Sequence, residues 1–284
     1  MSAVQAGWAP PSGPPEPARQ RSWPRWLLAV TVAWALLLGA LTWWSVRHDP
    51  PTVREQRSLS AADPVVDRAV GRLVVAIGAG AWALTGATVE RGCRVTPMAD
   101  GAALTRGVEV FVPDGGERAL LERVAGGLPG SWRAGVRPGA DGPRLRADAG
   151  EFVAVEGRVV GGGRVRLTAD TGCRPVDTEL ATLLPGAGGE TALAVDEASR
   201  ALGRPLAGVA EPLSAACPGG GRARTAAATA GSAPMSLAAL KSLAAGAAVV
   251  DLPEVYAYRR GPVVVVADAT GEQVRLTAST GCSG

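Results

Sequence analysis

Histidine is almost absent from this chain. Its 284 residues include one, His48, together with one lysine, Lys241, two phenylalanines and two tyrosines. With no imidazole beyond residue 48, Ser-His-Asp chemistry, a histidine-activated cysteine and ordinary zinc sites are all excluded. Beyond residue 49 there are 25 Lys and Arg against 24 Asp and Glu, with no basic stripe interleaved with stacking rings, so nucleic acid is not the expected partner. GxSxG, SxxK and P-loop patterns are missing too. The glycine clusters at 161–163 and 218–221 lack the lysine or following helix that a phosphate loop needs. No catalytic residue, cofactor or metal ligand is therefore assigned. The acid–base candidates that remain are carboxylates such as Glu156, Asp170, Asp251 and Glu254, which read as solvated strand and loop charges.

Long apolar runs are also scarce, and the one present is decisive. Between Arg25 and Arg47 lies WLLAVTVAWALLLGALTWWSV, 21 residues without a charge, enough at about 1.5 Å per residue to cross a hydrocarbon core of about 30 Å. Trp23 and Trp26 at one end, and Trp43 and Trp44 at the other, stand where aromatic belts form. This predicts a single transmembrane helix over 26–46, an uncleaved signal-anchor too long for a signal-peptide core. Residues 1–25, rich in proline and carrying PxxP spacing in PPSGPPEP, are expected to be a disordered cytoplasmic tail, and 47–62 a linker. Arg19, Arg21 and Arg25 ahead of the span favour an inside N-terminus. The excess of Ala, Gly and Arg over a single Lys points to a GC-rich, bacterial genome.

Cysteine supports the same orientation. All four cysteines follow the apolar run, without CxxC spacing, which reads as two disulfides in an oxidising, extracytoplasmic compartment. Two of them end a repeat: VRLTADTGC (165–173) recurs as VRLTASTGC (274–282). In each copy Val, Leu and Ala alternate with polar residues, the period of a half-buried strand. EFVAVEGRVV (151–160) and PVVVVADA (262–269) precede them through glycine-containing turns, GGG at 161–163 and TGE at 270–272, so each copy closes with a β-hairpin. Gly162 and Gly271 fall at one register, where positive φ is expected.

Upstream, the order also repeats. DPVVDRAVGRLVVAIG predicts a helix capped by Asp63 with Pro64 at its first position, and GETALAVDEASRALG a helix packed through Leu193, Ala194, Ala198, Ala201 and Leu202. Strands with Cys93 and Cys217 follow, then helices over 116–127 and 233–246. The expected fold class is α+β: a transmembrane helix, then two tandem two-layer α/β sandwich modules, 63–176 and 177–284, with helices on a mainly antiparallel sheet and one disulfide each. A repeated module should repeat its internal link, pairing Cys93 with Cys173 and Cys217 with Cys282; spacing alone leaves the other connectivities open.

LTADTGC resembles the TLxTC stretch of sortases in part, but Thr and Leu are exchanged, a glycine precedes the cysteine, and the histidine such a nucleophile requires is missing. The expected function is that of a single-pass, non-catalytic envelope protein that binds another envelope protein or a cell-wall polymer. The alternative is an envelope hydrolase using carboxylates in a cleft between the modules. EVYAYRR supplies the candidate interaction residues Tyr256, Tyr258, Arg259 and Arg260, an aromatic and arginine combination enriched at interfaces.

Overall fold

A computed structural model of the chain describes residues 25–48, 57–97, 99–177, 189–208, 210–233, 235–244 and 248–282. The tail before Arg25, linker residues 49–56 and the boundary stretch 178–188 lie outside the described residues, as do the expectations made for them. The uncharged run forms helix α1 (Arg25–His48). Its segment Arg25–Trp44 has a mean hydropathy of 1.9 and is long and apolar enough to cross a membrane. Thr31 and Thr42 donate their hydroxyls to the carbonyls of Leu27 and Leu38 at 2.8 and 2.7 Å, so neither leaves an unpaired polar group on an apolar helix.

The chain from Pro51 onward is one compact unit. Helix α2 (Leu59–Ile77) starts a turn earlier than Asp63: Ser58 is the cap, accepting from the Ala61 amide at 3.3 Å, and Asp177 takes the Ser60 amide and hydroxyl. Pro64 lies inside the helix as its sixth residue and has no N–H to offer the carbonyl four residues before it. Next come β1 (Ala81–Thr96), β2 (Ala99–Phe111), α3 (Glu117–Gly127), β3 (Gly135–Gly139), β4 (Gly142–Asp148), β5 (Ala154–Gly161) and β6 (Arg164–Asp170). They form an antiparallel sheet in the order β1-β2-β6-β5-β4-β3. After α4 (Gly189–Ala201), strands β7 (Glu211–Ala216), β8 (Arg222–Ser232), β9 (Val250–Asp251), β10 (Val255–Arg260), β11 (Val263–Asp268) and β12 (Gln273–Thr280) form a second sheet. Its order, β7-β8-β12-β11-β10-β9, is that of the first. The fold is thus mixed α+β with two six-stranded antiparallel sheets of one topology.

The disulfides join Cys93 to Cys173 and Cys217 to Cys282, with Cα separations of 5.9 and 5.6 Å. In the first sheet the bridge spans β2, linking β1 to the segment just past the end of β6. Gly101 of β2 lies beneath it, where a Cβ would come within 2.9 Å of the Cys173 Sγ and 2.4 Å of the Arg174 carbonyl oxygen.

The two halves differ locally. Among the described residues of 233–246, the helical structure is a 3-10 helix, Ala238–Ser242, in place of an α-helix. Gly162 has φ 59°, but Gly271 is not in the left-handed region, so the two hairpin turns differ. Helix α4 buries Thr191, Val195, Ala198 and Ser199, with Leu202 just beyond its end, while Leu193 is 67% exposed. Its inward stripe therefore runs through Val195 and not Leu193, because the sheet below it meets that side.

The helices cover one face of each sheet. Leu73, Leu121, Val155, Val165 and Leu167 build the first core, and Ala198, Tyr258, Val265 and Leu276 the second. Helix α2 also reaches β7 and β8, since Ala215 and Ala223 belong to the first core. A Cβ on Gly71 would lie 1.8 Å from the Ala216 carbonyl oxygen, so this approach needs glycine.

Candidate functional site

What distinguishes the two sheets is the face turned away from their helices. On the second sheet, Val255, Ala257, Val264 and Val266 pack with Val250 against Ala81 and Phe111 of the first. Thr225 is buried there as well, accepting from the Leu84 amide at 3.0 Å and sharing a hydrogen bond with Ser279 at 2.8 Å. Two ion pairs border the junction, Arg164 with Asp268 and Arg275 with Glu109, both at 3.4 Å. Among the described residues, the first sheet is covered on this side only at its β1–β2 end. Over β6, β5 and β4 its outer side chains reach solvent, and β5 reads exposed and buried by turns, as a strand with one wet face does.

Two adjoining cavities lie on that open face. One, of about 540 Å³, is lined by residues including Glu90, Glu109, Arg166 and Arg275; the other, of about 290 Å³, includes Arg144, Arg146 and Glu156. They share Thr105, Arg158 and Thr168. Glu109, 3% exposed, stands between Arg166 and Arg275, each at 3.4 Å. Arg146 pairs with Glu156 at 3.5 Å, and Arg144 with Asp141 at 2.9 Å. Asp170 accepts from Thr105 and from the Gly172 amide. No carboxylate among the described residues pairs with Arg158, at the centre of the surface.

A third cavity, of about 350 Å³, opens at the junction of the two sheets beside Asp114, Gly162, Leu252, Glu254 and Thr270. Elsewhere, α2 carries a polar cluster against the second sheet. Asp67 pairs with Arg106 at 2.7 Å and Arg222 at 3.1 Å, and Arg106 donates to the Ser214 carbonyl at 2.5 Å. Asp63 lies next to them with one carboxylate oxygen buried and unpaired. Burial raises its pKa above 3.8, offset by Arg106 and reinforced by Asp67.

The structure places Tyr256 and Tyr258 in the second core, 3% and 2% exposed. They line the face beneath α4, so neither ring presents a surface to a partner. Burial first, and then the nearby Glu197 carboxylate, push the Tyr258 phenol up to about 12. Arg259 donates to the Ala79 carbonyl at 2.8 Å, and Arg260 pairs with Glu197. Asp251 pairs with Lys241 at 2.8 Å, and the Glu254 carbonyl accepts from the Ala269 amide. Among the described residues, no group of three or more His, Cys, Asp or Glu is arranged to hold a metal ion. Sequence reasoning missed the arginines of the open face; their visible signal was Arg at alternate positions in two short strands, 144 and 146 in one and 164 and 166 in the other.

Comparison of the chain with family models, with curated proteins and with solved structures finds no match.

Proposed function

We propose that this protein is a membrane-anchored envelope binding protein: residues 26–46 span the cell membrane, the tail is cytoplasmic, and two tandem disulfide-stapled modules are displayed outside. The observation that carries the binding role is the unequal treatment of the two outer faces. The second sheet's is closed with aliphatic side chains, while the first's is left open and lined with charged groups around an unpaired Arg158. A hollowed surface on a rigid sheet, lined with arginines, offers fixed forked donors to a charged ligand. Anchoring is supported by the hydropathy and length of α1, and exposure outside by the two disulfides.

A photoreactive residue at Thr168 tests the binding role. In the native membrane it should trap a partner that the same probe at Leu193, on the exposed side of α4, does not. Equal trapping at both positions, or none at either, removes the open face as the docking surface. Protease added to intact spheroplasts should remove everything beyond about residue 50, and protection until lysis would reverse the orientation.

The junction cavity supports a second reading, an envelope hydrolase. Asp114 and Glu254 both line it, and two carboxylates are the minimum for acid–base hydrolysis. Hydrolysis of wall glycans that is lost in both Asp114→Asn and Glu254→Gln would favour this reading over the first.

A further inference from the structure

Four arginines stand in one line across the open face. Register sets Arg137 of β3 opposite Arg144 of β4, Arg144 opposite Arg158 of β5, and Arg158 opposite Arg166 of β6. Facing residues of an antiparallel ladder project from the same side, and strands lie about 4.8 Å apart, so the line runs about 14 Å across the sheet. Arg275, from the second sheet, continues it beyond Glu109.

Like charges directly opposite one another destabilise a sheet, and here three such pairs follow in succession. The nearby carboxylates offset them only in part: Asp141 serves Arg144, Glu109 is shared by Arg166 and Arg275, Glu156 serves Arg146 beside the line, and among the described residues Arg137 and Arg158 pair with none. Arg144 and Arg166 remain 45% and 40% exposed, so their forked donors are open to a ligand. In a folded part whose charges otherwise balance, this concentration is a cost that packing does not explain, and an anionic occupant would relieve it.

We propose that the line is the track of a linear polyanion, a polymer bearing phosphate or carboxylate groups along its length, laid across β3 to β6 with one end against Arg275. This rests on the open face being the docking surface and names its ligand. A guanidinium takes two oxygens of either anion at once, and arginines at regular spacing match a repeating charge. The surface lacks what the competing anionic surfaces require. Its lining has no ring to stack on a nucleobase, and its one aliphatic side chain of size, Leu145, is fully buried and not free to enter a lipid interface.

The full chain in detergent micelles, titrated calorimetrically with long-chain polyphosphate and with polygalacturonate, supplies the test. Saturable binding of at least one polymer is expected, falling steeply with salt, with the tighter of the two identifying the anion. Arg158→Gln should weaken it by roughly tenfold, as loss of a charge-assisted contact does, and Arg144→Gln with Arg158→Gln by more. Arg158→Lys, which keeps the charge and loses the fork, should fall between, and Arg118→Gln on α3 should change nothing. All are solvent-exposed positions, and unchanged melting confirms folding. No binding of either polymer at low salt overturns the proposal, as does an equal loss in Arg118→Gln, or attachment only to anionic lipid vesicles that Arg158→Gln leaves unmoved. If the Thr168 probe still traps a partner while both polymers fail to bind, the docking face stands and the polyanion falls.

Discussion

The last strands of the two sheets, β6 and β12, carry nearly the same letters and live in different surroundings. In β6 burial alternates residue by residue, with Val165, Leu167 and Ala169 inward and Arg166, Thr168 and Asp170 partly open. In β12 the inward set is the same, Val274, Leu276 and Ala278, but Thr277 and Ser279 are also buried, at 3% and 0% exposure. Their neighbours differ in step: β5 reads Ala-Val-Glu-Gly-Arg-Val, whereas β11 reads Val-Val-Val-Val-Ala-Asp and is buried throughout. A sheet covered on both sides needs apolar residues at every position, and one with a wet face only at alternate ones. One topology thus occurs in two surroundings: the second sheet is buried on both faces where it meets the first, and the first keeps part of one face in solvent.

Matched substitutions at Thr168 and Thr277 should break this comparison most sharply. Thr277→Lys places an unpaired charge in the sheet junction and is expected to cost more than about 4 kcal/mol, while Thr168→Lys should stay within about 0.5 kcal/mol. Denaturant unfolding of both variants measures the difference, and similar costs would mean that the junction is wet. Each staple comes next. By loop length, either disulfide should contribute roughly 4 kcal/mol, so Cys93→Ala with Cys173→Ala and Cys217→Ala with Cys282→Ala should lower the melting temperature by comparable amounts.

Gly71→Ala should cost about 1–3 kcal/mol through overpacking against the Ala216 carbonyl, and a marginal effect would show that α2 and β7 part easily. A fragment covering 60–176, expressed in an oxidising host, asks the same question directly. A single cooperative melt would make the first sheet a module in its own right, and an unfolded fragment would make its contact with β7 and β8 obligatory.

The smallest effect concerns Asp63. Its pKa is raised on folding, so its contribution is most favourable below the ordinary carboxylate value of 3.8 and is lost as pH rises through the higher folded value. At neutral pH the charge therefore opposes folding. Asp63→Asn should stabilise by less than about 1 kcal/mol at pH 7, the group being half exposed and screened, and the two proteins should converge as pH falls to about 4. Thermal melts across that range measure the gap, and a deficit in the variant at pH 7 would show that Arg106 and Arg222 outweigh desolvation.

Much of the fold was legible. Local period marked the hairpins, caps and glycines marked element ends to within a turn or so, and the VRLTAxTGC repeat pointed to the cysteine pairs because equal modules repeat their links. The misplaced details are those that packing decides. Ser58 competes with Asp63 as the cap and wins because Asp177, far along the chain, meets the turn that follows. Leu193 points outward because the sheet below α4 meets the Val195 side. The run Val263 to Val266 did hold a signal of two-sided burial in its unbroken apolar letters, and Tyr256 and Tyr258 lie in the sheet it belongs to.

From the sequence by itself follow the apolar span, the disulfide-bearing repeat, the hairpins and the absence of imidazole chemistry, because each rests on residue type and near-neighbour spacing. Only the tertiary structure decided which sheet face stays open and which arginines share it. Arg137, Arg144, Arg158 and Arg166 follow one another along the chain at intervals of seven, fourteen and eight residues, and they become neighbours through the register of three strand pairings. In each of these hairpins the turn and the apolar alternation set the register, but which face of the finished sheet is covered depends on how the second sheet packs against the first, and no local pattern encodes that.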